Sequence, residues 1–551
     1  MKHFLRLLSV LLCLCLMLMS LTSCMTLYHL AERYEPTTEP EQSSDTALPD
    51  EKTVLDFQLT EADTEKFAEL LSLFKTLALE GTDGIAIEKA LTEMEEQYYY
   101  IATQAQIAYL LYCCDLTDET ASQNYLFASE TVSSIYGDYI AVCRAIDESA
   151  SPYREIFFFD WTDAELDEMR LYTDEFTALS QENDRLLVAY RELSETEFYD
   201  AAPEYLLELM ANNTQLAAGM GFDSYYEYAS ERIYLRDYST EDREMMRGYV
   251  SEYIVPAIES LYLAFSGRYE ALNTLRQRKV YNFLYADYDK AGDYVETYLN
   301  ALPEDMREQM SSLFESENSI FTDSDDAYTG AFTGYLYDLA TPVCYFGPGY
   351  QSTTTVVHEM GHYYAACFGE GYNTPMDLAE LQSQANEWLM LASLSDSINE
   401  EVYETLRYYL IYDLYTTILT CVIIDEFEEC LYADAGKTYT TAAQLDSLME
   451  EICQGYGGIE FINEYVVDIQ YYWRIVAVES PVYYISYATS GVAALELYLR
   501  AVDDFDGAVA AYAALTEGGD PTVGFCTAVG EAGLSGAFDE QTYRRFFAAF
   551  S

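Results

Sequence analysis

The spacing of apolar residues constrains this chain most. From Val54 onward they recur at three- and four-residue steps among acids, as in Leu166, Met169, Tyr172, Phe176 and Leu179, and again in Leu206, Leu207 and Met210. Residues three or four apart share one face of a helix, so the pattern predicts helix after helix. Thr162-Asp163-Ala164-Glu165 sets a hydroxyl and a glutamate at capping-box spacing, which marks a helix start. Only 12 Pro and 27 Gly punctuate 551 residues, too few for the turns of an all-β chain. One segment departs from the helical period. Thr333 to Tyr337 and Pro342 to Phe346 are short, aromatic and β-prone, and Gly347-Pro348-Gly349 closes the second. They predict a small sheet.

Composition removes several classes of function. With 28 Lys+Arg against 95 Asp+Glu the formal charge is −67, which phosphates repel, so no nucleic-acid partner is expected. Half the residues are hydrophobic and 15% are aromatic, unlike a disordered acidic chain. The acidic clusters Asp323 to Asp326 and Asp425 to Glu429 read as solvated faces or loops. The Tyr98-Tyr99-Tyr100 run reads as core packing.

The N-terminus reads as an export signal over residues 1–23. Lys2, His3 and Arg6 precede an apolar run from Leu7 to Leu21. Its ending, Leu21-Thr22-Ser23-Cys24, resembles a bacterial lipobox, which implies a lipid on Cys24. The polar, Pro-rich stretch over 24–52 reads as a tether. A body anchored outside the cytoplasmic membrane as a lipoprotein is therefore expected. Losing Lys2 and Arg6 with the signal, and no acid, takes −67 to −69. Nine cysteines remain beyond Cys24 with no C-x-x-C pair. They fix no disulfide pattern and are read at least as readily as buried thiols.

Histidine is scarce, and its placement is informative. Of four, His3 lies in the signal and His29 in the tether. The other two stand in His358-Glu359-Met360-Gly361-His362. Two imidazoles four residues apart on a helix project from one side and can share a zinc ion. The adjacent Glu359 can take a proton from an attacking water. Ser352 to Val357 leads into that helix. A third ligand must be a carboxylate or a cysteine, and Glu370, Asp377, Glu380 and Glu387 follow in sequence. Glu380 and Glu387 are seven apart, hence on one face of a second expected helix. One could bind the metal and the other orient an imidazole.

Here the sequence resembles the M3 zinc metallopeptidases, the thimet oligopeptidase and oligoendopeptidase F group. His358 to His362 fits the family's His-Glu-x-Gly-His. Glu380, Ser383, Gln384 and Glu387 fit its Glu-x-x-Ser-(Gln/Thr)-x-x-Glu. Gly330 to Gly334 and Pro342 to Phe346 look like the family's edge-strand region, beside which a peptide adds as a strand. Gly221 to Tyr225 and Tyr253 to Pro256 look like its oligoendopeptidase F branch. The resemblance spans roughly residues 200–551. It implies a mostly α, large bilobed helical body with a deep channel and a small β-sheet next to the motif helix. It divides the body into an N-terminal helical region, 53–200, and a catalytic region, 201–551. It implies that Glu380 completes the ligands of one Zn2+ per chain, with Glu387 behind a ligand.

Near the C-terminus Tyr483-Tyr484-Ile485-Ser486-Tyr487-Ala488-Thr489 aligns with the family's tyrosine-rich segment, whose hydroxyls steady the substrate oxyanion. The family's histidine falls on Ala477. Tyr483, Tyr484 or Tyr487 could supply a phenol donor in its place, and Tyr487, in the matching Tyr-Ala-Thr, is the first candidate. The resemblance thus implies a zinc-dependent endopeptidase acting on short unfolded peptides, with Glu359 as general base. Cationic peptides are favoured if the acidic surface extends into the channel. The alternative, prompted by Ala477, is a zinc-containing peptide-binding lipoprotein with weak or no catalysis.

Overall fold

The computed structural model describes residues 56–550, apart from 160, 316–317, 369–373, 434–436 and 518–522. The expected signal over 1–23, the expected lipid site at Cys24, the expected tether over 24–52 and the candidate Glu370 lie outside the described residues.

The N-terminal helices are α1 (Glu61–Glu80), α2 (Gly84–Cys114), α3 (Glu119–Asp147), α4 (Asp163–Leu171), α5 (Asp174–Arg191) and α6 (Glu195–Gly219). The capping box is present at α4, where the Thr162 hydroxyl accepts the Glu165 N–H at 3.2 Å and the Glu165 carboxylate accepts the Thr162 N–H. The apolar run from Leu166 to Leu179 covers two helices. Tyr172 is extended (φ −62°, ψ 128°), and the Thr173 hydroxyl caps α5 on the Phe176 N–H at 3.3 Å. The apolar spacing passes through the break because Met169, Tyr172 and Phe176 all pack on one core. Tyr98 is buried in that core, with Tyr99 and Tyr100 packed against it.

The sheet has three strands, β1 (Ser319–Phe321), β2 (Ala331–Leu336) and β3 (Thr341–Phe346), in the order β1-β3-β2. β3 runs parallel to β1 and antiparallel to β2, with Thr333 opposite Cys344 and Gly334 opposite Val343. β1 is too short to show a period in the sequence.

Two hydrophobic cores give the body its two lobes, and the sheet belongs to both. Phe332, Leu336, Val343 and Tyr345 join the core built on α1 to α5. Ala331, Cys344 and Phe346 join the larger C-terminal core. Alternation along a strand produces this division. On the first face α2 comes so near that a Cβ on Gly334 would lie 2.6 Å from Gln106 Nε2. The cores also meet on α5, where Leu187 belongs to one and Val188 to the other.

Shorter helices occupy residues 225–314. After the sheet come α7 (Thr353–Ala366), α8 (Met376–Ser393), α9 (Glu400–Tyr432), α10 (Ile469–Glu479) and α11 (Ile485–Asp503). The reading of Asp425 to Glu429 as a solvated face is corrected for two of its acids. On α9, Asp425 and Glu428 are three apart and face inward. Asp425 pairs with Arg247 at 2.5 Å, and Glu428 accepts the Val482 N–H at 2.8 Å. Asp323 to Asp326 are exposed as expected. All nine body cysteines are free thiols. Among the described residues, no helix is long and apolar enough to cross a membrane.

Candidate metal centre

The Ser352 hydroxyl starts α7 by accepting the Thr355 N–H at 3.3 Å. Six residues on, His358 and His362 stand one turn apart with ring centroids separated by 5.0 Å. α8 crosses directly over this turn. Gly361 is what permits the crossing: a Cβ there would lie 2.6 Å from the Gln382 carbonyl oxygen and 2.7 Å from Ser383 Cα. The amide of Asn386 pins the crossing further by donating to the Val357 carbonyl at 2.6 Å.

The crossing brings one carboxylate to the imidazoles. Glu380 Oε2 lies 3.5 Å from His358 Nε2 and 3.8 Å from His362 Nε2. The ligand atoms of the three residues all fall within 4.8 Å of one another. Tetrahedral zinc with bonds near 2.1 Å needs ligand atoms roughly 3.4 Å apart. His358 Nδ1 is bonded to Glu387 Oε1 at 2.7 Å. Its Nε2 is buried with no hydrogen-bond partner, an expensive state for an imidazole nitrogen unless a ligand takes its lone pair. The donor set and the orphaned nitrogen fit a zinc ion. Of the carboxylates that the sequence left open, Glu380 sits at the centre and Glu387 behind His358. Asp377 is turned away into a hydroxyl-rich cluster, accepting from Tyr238 at 2.9 Å and from Ser486 at 3.1 Å.

Burial and charge set the protonation states. Burial pushes His362 down to about 4, against the pull of Glu380, which leaves a free lone pair at neutral pH. Burial also opposes charge on His358, but the neighbouring Glu380 and Glu387 carboxylates outweigh it and raise that imidazole well above its ordinary value. Burial pushes Glu359 up to about 7, although His358 and a hydrogen bond from Thr333 both favour its ionised form. The Thr333 hydroxyl, on β2, donates to Glu359 Oε2 at 2.8 Å. Nothing in the sequence pointed to Thr333 in this role, though it lies in the segment read as an edge strand.

The two tyrosines lie beside Glu380. Tyr483 donates to Glu380 Oε1, the oxygen turned away from the imidazoles, and its hydroxyl lies 3.1 Å from that of Tyr487. The Tyr487 ring centroid is 6.4 Å from that of His358. Burial, and then the Glu380 charge, hold both phenols well above their ordinary value, so both remain proton donors. Tyr483 is thus occupied with the carboxylate, and Tyr487 is the freer phenol. Ala477 is buried within α10. A cavity of about 590 Å3, lined by Arg191, Glu192, Asp325 and Asp326 among others, contains none of these residues.

The chain shares its fold with solved structures of proteins described as peptidases. PZ peptidase A, solved with an inhibitor, superposes with a TM-score of 0.69 at 16% identity, over 90% of this chain and 97% of that one. A provisionally assigned oligoendopeptidase F from Bacillus anthracis gives 0.66 at 17% identity, over 90% and 96%. Oligoendopeptidase F from Enterococcus faecium gives 0.56 at 15% identity, over 88% and 96%. No protein-family model and no curated protein matches the sequence.

Proposed function

We propose that this protein is a zinc-dependent endopeptidase that cleaves short, unfolded peptides. The observation that carries the reading is the convergence of His358, His362 and Glu380 within 4.8 Å, with the Glu359 carboxyl on the same turn of helix. The fold shared with proteins described as oligoendopeptidases supports it.

His358, His362 and Glu380 would hold the metal. When bound, zinc supplies Lewis acidity toward a carbonyl oxygen and lowers the pKa of water. The protein's own groups do the rest. β2 is an edge strand. Pro342, opposite Tyr335, lacks an N–H, and the Cys344 N–H is given to Asn318 at 2.9 Å. In an antiparallel pair this phase turns the backbone groups of Ala331, Thr333 and Tyr335 outward. A peptide pairing there lies alongside Glu359. Thr333 holds Glu359 Oε2, which leaves Oε1 to take the proton of the attacking water. Glu359 then delivers that proton to the leaving amine. Tyr487 donates to the developing oxyanion.

The lipobox-like Cys24 supports placing the protein outside the cytoplasmic membrane on a lipid anchor. The charge of −67 would favour cationic peptides wherever it borders the cleft. A second reading, a zinc-containing peptide-binding lipoprotein that turns over poorly, is favoured by Ala477, where the resembling family has a histidine. Metal analysis followed by a quenched fluorescent peptide library separates the two, with Glu359→Gln as control. One zinc per chain and cleavage that Glu359→Gln abolishes is the expected result. One zinc with no peptide cut would overturn the endopeptidase and leave the binder.

A further inference from the structure

The segment between α10 and α11 carries Tyr483 toward Glu380 and is held in a conformation it would not adopt alone. Val482, a β-branched residue, sits at φ +66°, a region such residues avoid. Residues so placed persist only when their surroundings over-determine them. Here they do. The Val482 N–H is given to Glu428 at 2.8 Å. The Pro481 carbonyl accepts from the Tyr234 hydroxyl at 2.7 Å. The Val482 and Tyr483 carbonyls both accept from Arg236 Nη2, at 2.7 and 3.2 Å.

Arg236 is the centre of the clasp. Its side chain is 1% exposed, and Asp377, 3.4 Å from its Nε, is fully buried. Arg236 Nη2 also reaches the Ser486 hydroxyl at 3.1 Å. That hydroxyl donates onward to Asp377 Oδ2, and Thr489 and Tyr238 donate to Oδ1. The segment presenting Arg236 is itself strained: Leu235 stands at φ +52°, two residues past a π-helical turn over Ala229–Ile233. Asp377 lies on α8, three residues before Glu380. The pair therefore ties the helix that bears Glu380 to the segment that bears both tyrosines.

We infer that Arg236 and Asp377 are positioning residues that fix the 481–487 segment so that Tyr483 holds Glu380 and Tyr487 faces the metal-ligating imidazoles. The inference rests on the endopeptidase proposal for the role of Tyr487, and on metal binding alone for that of Tyr483.

The test is a mutant cycle read first by zinc affinity, in competition with a chromophoric chelator, and by the visible spectrum of the Co2+-loaded protein. Arg236→Lys keeps a cation beside Asp377 but cannot reach two carbonyls and a hydroxyl at once. It should weaken zinc about 10-fold, as loss of support behind a metal ligand does, and alter the cobalt bands. Tyr483→Phe should do the same. Because both act through one contact, the double variant should be no more than about twofold weaker than the worse single one. Wild-type zinc affinity in Arg236→Lys, or losses that multiply, would overturn the inference. If Arg236→Lys does not fold, Ser486→Ala takes its place in the cycle. It removes one contact from each partner and strands no charge, and an unchanged zinc affinity there overturns the inference equally. For peptide cleavage, Arg236→Lys should lower kcat with KM nearly unchanged, whereas an equal fall in folded fraction and kcat would mark a merely structural role. Wild-type protein that binds zinc and cuts nothing defeats the endopeptidase proposal, while the zinc cycle still decides this one.

Discussion

Replacing Gly361 by alanine should separate the two helices of the metal centre. The new Cβ would lie 2.6 Å from the Gln382 carbonyl oxygen and 2.7 Å from Ser383 Cα, both backbone atoms that cannot rotate away. Reaching ordinary contact near 3.4 Å requires an opening of about 0.8 Å between α7 and α8. Metal–ligand distances tolerate only about 0.2 Å. Glu380, on α8, would leave the two imidazoles on α7 by several times that amount. Overpacking of this size costs about 1–3 kcal/mol of stability, and zinc affinity should fall by at least about 10–100-fold. The assay is chelator competition for zinc, with denaturant unfolding of the metal-free protein alongside. Gly248→Ala is the control, because a Cβ there meets nothing within 4 Å and should leave both measurements at or above the wild-type value. Wild-type zinc affinity in Gly361→Ala would refute the claim that this close crossing sets the site.

Further predictions concern the proton, the donors and the ligand support. Glu359 must be ionised to act as base, so kcat/KM should fall as pH drops through its pKa. Burial sets that value at about 7, and a bound cation shifts the limb downward, so an acid limb above about 7 in the zinc-loaded enzyme would contradict the assignment. Tyr487→Phe should lower kcat about 100-fold or more with zinc content unchanged, and a kcat within a factor of two of wild type would remove Tyr487 from the oxyanion role. Thr333→Val removes the donor to Glu359 Oε2 and should lower kcat about 10-fold by freeing the carboxylate to turn. Rescue by Thr333→Ser but not by Val would check it. Glu387→Gln should weaken zinc about 10-fold, since the His358 Nδ1–H would then face a neutral amide. A titration superimposable on wild type would show that Glu387 does not support the ligand.

The site was legible in the sequence where its chemistry is local. His358, Glu359 and His362 share one turn, and Glu380 and Glu387 share one face, so helical periodicity alone groups them. The structure adds which carboxylate reaches the two imidazoles, a question of how two helices cross, and Gly361 decides it. Groups arriving from distant segments left no such trace. Thr333 reaches Glu359 across 26 residues, and Arg236 reaches Val482 across 246. Neither has a spacing that marks it. The acids on α9 misled for a related reason. A run of carboxylates reads as a wet surface, yet in a helix 33 residues long every third or fourth position turns inward. There Arg247 and the Val482 N–H were waiting for Asp425 and Glu428. The fold was legible in its helical class and in its two longer strands. β1 and the break at Tyr172 were not, because three residues show no period and a break between helices packed on one core does not interrupt the apolar spacing.

The sheet fastened to both cores has a mechanical meaning. If the two lobes swing, the pivot should pass through β2 and β3, because their opposite faces are gripped by different bodies and neither face can slide without unpacking aromatic rings. A strand lying on the pivot hardly translates when the lobes rotate. The distance from Thr333 to Glu359 would therefore stay constant while the lobes rotate, and the carboxyl group would keep its alignment through the motion.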